Sequence, residues 1–528
     1  MSRLRKGAGA LALSCALFGA LAAPAWAQAT GKLTVALAAE STTMDPAKYS
    51  AGVDQYFIGT MFEMLVMPTP DGKLQNWLAQ SWSLDESNPA KPVIDVHIRP
   101  GVTFQNGDPL TSADFKFSYE RLADPKVSRW SHYQANVESF EIVDDLHFRI
   151  HFKKPDSNYV ANYLQLWAMP KAYFEKVGEE EFGKHPVGTG PWKFVSRKVK
   201  DELRLEAYDG YWNKEHRPSV KELTIKIIPE DLTRVAALQS GEVDWIDSVP
   251  PAMLKDVKAI PGIKTATMVS GNNLFLDMDT IAKGPLQNVK VRQAIAYGID
   301  VDAIIGSVLF GQGERYAEVG KGVPGYDPAL EPYPYDPAKA QKLLAEAGYA
   351  GGIDLNCYNL ITPREPNMKE MGEAMFAYLG AIGVRCKVQN LEYGAWISLG
   401  RRDEKTEQLN GGLISWMWGQ GVPGDPAIAW GGHVHSYEPG KGWGSYSHVN
   451  DPELDRMIEE ATATMNPEAR NAKLREIAKR KHELVLGGLT TYEPLVTMAW
   501  RDDKVSYTPW PYPGFWRNFQ EIGLKSTQ

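Results

Sequence analysis

Residues 101–122 read GVTFQNGDPLTSADFKFSYERL. The β-branched and aromatic start, Val102-Thr103-Phe104, predicts a strand that ends at Phe104. Asn106-Gly107 supplies the backbone conformations a tight turn needs. The helix that follows is begun by Thr111-Ser112-Ala113-Asp114, in which Thr111 and Asp114 make a capping box with Asp in place of Glu or Gln. Taken alone, the stretch is a strand, a turn and a helix, and it implies no chemistry.

The same grammar extends in both directions. Lys32-Leu33-Thr34-Val35-Ala36-Leu37, the run 93–98 and the run 223–228 alternate or are rich in β-branched residues, as strands are. Asp231 to Ser240 reads as a helix stopped by Gly241, and Asp336-Pro337 and Asp451-Pro452 each open another with proline in the first turn. Between about 284 and 392 strand and helix alternate as in a βαβ unit, with strands near 353–359 and 384–391 around a helix near 366–381. The class is therefore α/β. No repeat and no low-complexity linker interrupts it, which argues against solenoids, propellers and disorder.

The chain has 528 residues, more than one hydrophobic core usually serves, so at least two domains are expected. Residues 1–27 have the layout of a secretory signal peptide: Arg3, Arg5 and Lys6, an apolar run from Ala8 to Ala22, then Ala25-Trp26-Ala27 before a cleavage point at Gln28. The apolar run is shorter than the roughly 20 residues that span a bilayer. Cys15 follows Ala12-Leu13-Ser14, a poor match to a lipid-attachment motif. Cleavage would change the formal charge from −8 to −11, and so acidic a protein is a poor partner for nucleic acid or an anionic membrane. Cys357 and Cys386 remain; in an oxidising compartment they either pair or stay as two buried thiols.

Further motifs follow in order: Met44-Asp45-Pro46, Phe62-Glu63-Met64-Leu65, Leu78-Ala79-Gln80-Ser81-Trp82, Pro186-Val187-Gly188-Thr189-Gly190-Pro191-Trp192 and Tyr211-Trp212. Leu238-Gln239-Ser240-Gly241-Glu242-Val243-Asp244, Val291-Arg292-Gln293-Ala294-Ile295-Ala296-Tyr297 and Asn450-Asp451-Pro452-Glu453-Leu454-Asp455 complete the series. With 101–122, this order over nearly the whole mature chain resembles the family 5 extracellular solute-binding proteins, the dipeptide, oligopeptide, nickel and opine binders of bacterial ABC importers.

The resemblance implies a two-lobed periplasmic binding protein clamp, type II-like, of the large cluster with an extra subdomain in lobe I. Lobe I would span 28–282 with the inserted subdomain near 73–189, lobe II would span 283–499, and the tail 500–528 would return to lobe I. Hinges would lie near 280 and 499. The implied function is the substrate-binding component of an ABC transporter: a monomer in the periplasm that closes on a small solute and delivers it to a permease in the inner membrane. It implies no cofactor and no catalysis. The competing readings are a secreted hydrolase of peptide-like compounds and a binding protein serving a chemoreceptor.

Carried over from peptide-binding members, the first lobe's contribution to the ligand is Tyr49-Ser50-Ala51-Gly52. The second lobe's contribution follows Ser415-Trp416, where peptide binders place an aspartate for the ligand's α-ammonium. Here no acidic residue lies between Trp416 and Gly424; the loop offers Trp416, Trp418 and Gln420, which suit an aromatic face, an amide or hydroxyls better than an ammonium. Asn273, Phe275 and Trp443 are further candidates. No metal site is expected: His433-Val434-His435 lacks carboxylate or thiolate company, and His147 and His151 fall in a strand pattern, to which helical zinc spacing does not apply. Gly178 to Lys184 nearly spells a phosphate loop but carries three glutamates, and no Gly-x-Ser-x-Gly or His-Glu-x-x-His motif is present.

Overall fold

The computed structural model describes residues 29–50, 52–69, 73–361, 367–402, 409–419, 425–438, 444, 446–510 and 519–525. The signal-peptide reading of 1–27 lies outside them. Among the described residues no helix is long and apolar enough to cross a membrane.

The anticipated elements form where local chemistry places them. Thr111 N and Oγ1 both donate to Asp114 Oδ2, at 2.9 and 2.8 Å, and open the helix Ser112–Ala123. Gly241, in the left-handed region at φ 80°, ends Asp231–Ser240. Asp336 and Asp451 cap Pro337–Glu346 and Pro452–Ala463. One expectation needs correction: residues 101–104 make a single bridge, Thr103 to Pro109, and not a strand. Proline has no N–H to extend a ladder, and the Asn106-Gly107 turn folds the segment back within two residues of Phe104.

A twelve-stranded mixed sheet runs through the molecule, centred on the long strand Leu489–Arg501. Its first half pairs with Asn272–Met278, and its second half with Ile263–Val269 and Trp245–Ile246. Beyond Asn272–Met278 come Leu413–Gly419, Ile353–Ile361 and Val384–Glu392. On the other side Trp245–Ile246 leads to Lys32–Leu37, Glu222–Ile227, Glu202–Ala207 and Trp192–Lys198. A separate four-stranded sheet is built from Ala79–Asp85, Val93–Ile98, His147–Phe152 and Val137–Asp144. The two largest apolar cores follow the two ends of the big sheet: Leu33, Phe62, Trp192 and Trp245 belong to one, and Leu276, Ile295, Leu360 and Leu413 to the other.

Most of the sequence motifs work as scaffold. Glu63 is buried and accepts from Trp77 Nε1 at 2.6 Å, Tyr211 OH at 2.6 Å and Trp212 Nε1 at 2.9 Å, so two separated motifs and a tryptophan beside a third converge on one carboxyl. Gln105 Nε2 donates to the carbonyls of Gly190 and Trp192, at 3.0 and 2.7 Å, and the Gly188 N–H donates to Gln105 Oε1. A Cβ on Gly188 would sit 2.1 Å from the Met61 carbonyl oxygen, which explains glycine there. Asp244 receives Thr34 N and the tail's Lys504 Nζ, at 2.9 and 2.7 Å. Arg292 is buried and donates to four carbonyls, of Leu286, Gln287, Leu484 and Val485.

Cys357 and Cys386 form a disulfide, which resolves the alternative left open by the sequence. It joins neighbouring parallel strands across a sequence separation of 29 residues. In the chain-entropy account a loop of that length contributes about 3.6 kcal/mol. Replacing both cysteines with serine is therefore expected to lower the urea-unfolding free energy by about that amount, and reduction of the native protein should do the same. Identical unfolding curves for the native protein and the double variant would refute the contribution.

Candidate functional site

The segment 41–50 reaches the site because Asp54, near the start of the helix Gly52–Met61, gathers it in. Asp54 Oδ1 accepts from Thr42 N at 2.7 Å and Ser41 Oγ at 3.0 Å, and Oδ2 from Ser50 N at 2.8 Å. The Tyr49 ring stacks on Trp130, with centroids 5.8 Å apart, and Trp130 Nε1 donates to the Tyr49 carbonyl at 2.9 Å. Burial pushes the Tyr49 phenol up to about 12, partly opposed by Arg129.

Arg129 joins the two halves. One guanidinium nitrogen donates to the Ser50 carbonyl at 3.3 Å and another to Tyr446 OH at 2.6 Å, across 317 residues of chain. Next to it Trp130, His132 and Tyr133 form an aromatic cluster, with Trp130 and Tyr133 stacked 6.0 Å apart. Burial first, then the charges of Arg401 and Arg129, hold the His132 imidazole down to about 4, so it is neutral at pH 7.

His132 and Tyr133 also line a chamber of about 490 Å³. The four-stranded-sheet unit contributes Asn136, Asp156, Asn158 and Tyr163; the other half contributes Ala427, Ile428, Gly431 and Thr462. Such a volume falls within the range that holds small organic ligands. The halves touch beside the chamber: Ser157 N donates to the Thr462 carbonyl at 2.8 Å, and Arg470 to Asn158 Oδ1 at 3.1 Å. Asp425, which caps the helix Pro426–His433, is the ion-pair partner of Arg470. Asp156 is buried, its pKa raised by that burial, and it accepts from Asn158 N at 2.9 Å and Tyr163 OH at 3.2 Å.

The anticipated site residues divide into three groups. Ser50 meets the other half through Arg129, Tyr49 stacks beside it on Trp130, and Gly52 opens the helix Gly52–Met61, Ala51 lying outside the described residues. Asn273 and Phe275 lie on one strand in register with Trp418 and Trp416, and both are 4% exposed. Asn273 accepts from Tyr316 OH, and Phe275 stacks on His433 with centroids 5.0 Å apart. The void beside them, about 20 Å³, has room for about one water. The ion pair of Lys481 and Glu318, 2.6 Å, lies against the same void. Trp416 and Trp418 are placed on the strand Leu413–Gly419, but their side chains, like Gln420 and Trp443, lie outside the described residues.

Sequence reasoning missed Arg129, His132, Tyr133 and Tyr446. The one available signal was the basic and aromatic run Arg129-Trp130-Ser131-His132-Tyr133, which has no periodicity to mark it.

Solved structures of the same shape include the periplasmic binding protein DppA from Helicobacter pylori in complex with the peptide STSA, at TM-score 0.80 and 22% identity over 94% of this chain and 98% of that one. AgaA in complex with agropinic acid, from Agrobacterium, matches at TM-score 0.79 and 22% identity over 94% and 99%. In sequence, heme-binding protein A of Haemophilus influenzae is 30% identical over 424 residues, 75% of each chain. The glutathione-binding protein GsiB of Pectobacterium atrosepticum is 29% identical over 382 residues, 71% of each. Residues 73–436 match the bacterial extracellular solute-binding proteins, family 5. With that match over more than half of its length, the chain belongs to the family 5 bacterial extracellular solute-binding proteins.

Proposed function

We propose that the protein captures a small polar or aromatic organic solute, or a peptide-like compound, in the periplasm, returns it unchanged, and hands it as a monomer to an inner-membrane permease. The observation that carries this reading is the Arg129 bridge from Ser50 to Tyr446 beside a chamber that both halves line. A solute touching both halves stabilises the closed form by its differential affinity for that form.

The lobes are proposed as 28–270 with the insertion at 73–189, 271–494, and a tail from 495, in place of the anticipated boundaries at 282 and 499. The hinges are drawn closer to the sheet, at Ser270-Gly271 and Pro494-Leu495. Met268 and Met498 belong to one core, while Leu274 and Tyr492 belong to the other. Ser270 N donates to the Pro494 carbonyl at 2.8 Å, and Gly271 N to Glu493 Oε1 at 2.7 Å, so the two crossovers are bonded to each other.

The proposed ligand surface is Tyr49 to Gly52 on one side and Trp416, Trp418, Gln420 and Trp443 on the other, with Asn273 and Phe275 behind them. Native mass spectrometry of protein purified without denaturation should find a co-purified solute at one per chain, released chemically intact. Trp416→Ala and Trp418→Ala should each weaken its binding at least tenfold, about 1.4 kcal/mol, by titration calorimetry. Conversion of the solute by the protein would sink the capture reading; unchanged affinity in both variants would sink the tryptophan assignment alone.

A further inference from the structure

The four-stranded sheet keeps one face in the core. Ile94, Val96, Phe148 and Ile150 lie there, each 1% exposed or less. The alternate residues of the two central strands, Val93–Ile98 and His147–Phe152, therefore stand on the outer face. Antiparallel register sets His97 opposite His147 and Asp95 opposite Arg149. The two histidine rings stack with centroids 4.1 Å apart and planes within 18° of each other. Both bring Nε2 to the same carboxylate oxygen: Asp95 Oδ1 lies 3.3 Å from His97 Nε2 and 2.9 Å from His147 Nε2. Asp95 Oδ2 is 3.0 Å from His147 Nε2 and accepts from Arg149 Nε at 2.8 Å.

Two imidazoles and a carboxylate are the donors that zinc, copper and nickel ions take. With bonds near 2.1 Å, ligand atoms on a tetrahedral ion stand about 3.4 Å apart. The two edges measured to Asp95 Oδ1 are close to that spacing, and all three ligand atoms lie within 4.8 Å of one another. Arg149 fixes the orientation of the carboxylate, the task of an outer partner at a metal site. Its charge is offset by Glu141, 3.9 Å away, so with neutral imidazoles the group of Asp95, Glu141 and Arg149 keeps one net negative charge. The side chains of His147, Asp95 and His97 are 14%, 23% and 53% exposed, which leaves the solvent side open for water as a further ligand.

Spacing along the chain drew attention to His147 and His151, but they do not act as a pair. His151 Nε2 turns to Glu141 Oε2 at 2.8 Å, and the partner of His147 is His97, which only strand register brings to it. None of Asp95, His97 and His147 lines the chamber, so an ion held here is separate from the captured solute.

We infer that Asp95, His97 and His147 form a binding site for one divalent ion of the zinc class on the outer face of the four-stranded sheet. This replaces the expectation of no metal site, which weighed each histidine only against its neighbours in the chain.

Calorimetric titration of metal-free protein with Zn2+ tests it. The native chain should take up one ion more than His97→Gln/His147→Gln, and each single glutamine variant should hold that ion at least tenfold less tightly. His97→Gln, at a half-exposed position, carries the test if the double variant folds poorly. A second readout is the electron paramagnetic resonance spectrum with one equivalent of Cu2+: splitting from two imidazole nitrogens in the native protein, and from one in His97→Gln. Equal Zn2+ stoichiometry and affinity in the native protein and the variants, or a copper spectrum that His97→Gln leaves unchanged, would overturn the inference.

Discussion

Arg121→Ala is expected to lower the unfolding free energy by roughly 3–5 kcal/mol, the cost of leaving a buried charge without its partner. Arg121 and Asp45 face each other through two bonds of 2.8 Å, with side chains 7% and 3% exposed. The guanidinium also lies over the Phe174 ring, 4.2 Å from its centroid, and meets Glu179 at 3.2 Å. Asp45 in turn fixes the turn before Tyr49 by accepting from Ala47 N at 3.0 Å. Loss of the arginine therefore unseats the segment that carries Tyr49 and Ser50 as well as weakening the core. Arg121→Met/Asp45→Asn removes both charges, keeps an acceptor for Ala47, and should recover most of the loss. Equilibrium urea unfolding decides: a single variant within 1 kcal/mol of the native protein, on the order of one exposed pair's worth, would show that the pair is not needed.

A second large effect should appear with pH. Asp277, on the strand Asn272–Met278, is buried, and burial raises its carboxyl to about 7, with Asp279 adding to the rise and Lys481 opposing it. The folded chain thus holds a proton that the unfolded chain, with a carboxyl near 4, releases. The resulting stability is complete at acidic pH below the unfolded value, declines as pH climbs toward 7, and is gone above it. Between pH 5 and pH 8 this one group should cost the fold about 3 kcal/mol. Asp277→Asn keeps an oxygen to accept from Met278 N, which lies 2.8 Å from Asp277 Oδ1, and has no charge to bury. Its unfolding free energy should be the higher of the two at pH 8 and should fall less between those pH values. Parallel stability profiles for variant and native protein would contradict the assignment.

Arg121 lies in a recognisable string, yet its role differs from what the string conveys. Arg121 closes the stretch 101–122 and could be read as one more polar position on a helix; its partner is 76 residues away. The Glu63 cluster gathers motif residues separated by up to 149 positions. Order along the chain announced the family, because such residues are kept together by a scaffold they jointly build. That same scaffold role is why the motifs said little about the ligand.

Tyr49 and Ser50 were reached through the resemblance, and Ser50 is linked to Tyr446 of the opposite half through Arg129. Asn273 and Phe275 were singled out by proximity to a hinge, but alternate residues of a strand share a face, and alternation alone cannot say whether that face looks into a cleft or a core. Here it packs on Tyr316 and His433.

What the sequence determined by itself was local: which residues cap helices, where glycine must turn the chain, which runs alternate. These depend on hydrogen bonds and side-chain directions within a few positions, and so they survive without knowledge of the rest. Which cation finds a carbonyl, a phenol or a carboxylate was decided by the tertiary structure. Arg129 and Tyr446 have no sequence relation across 317 residues, and only the packing of two separate cores on one sheet brings them within 2.6 Å.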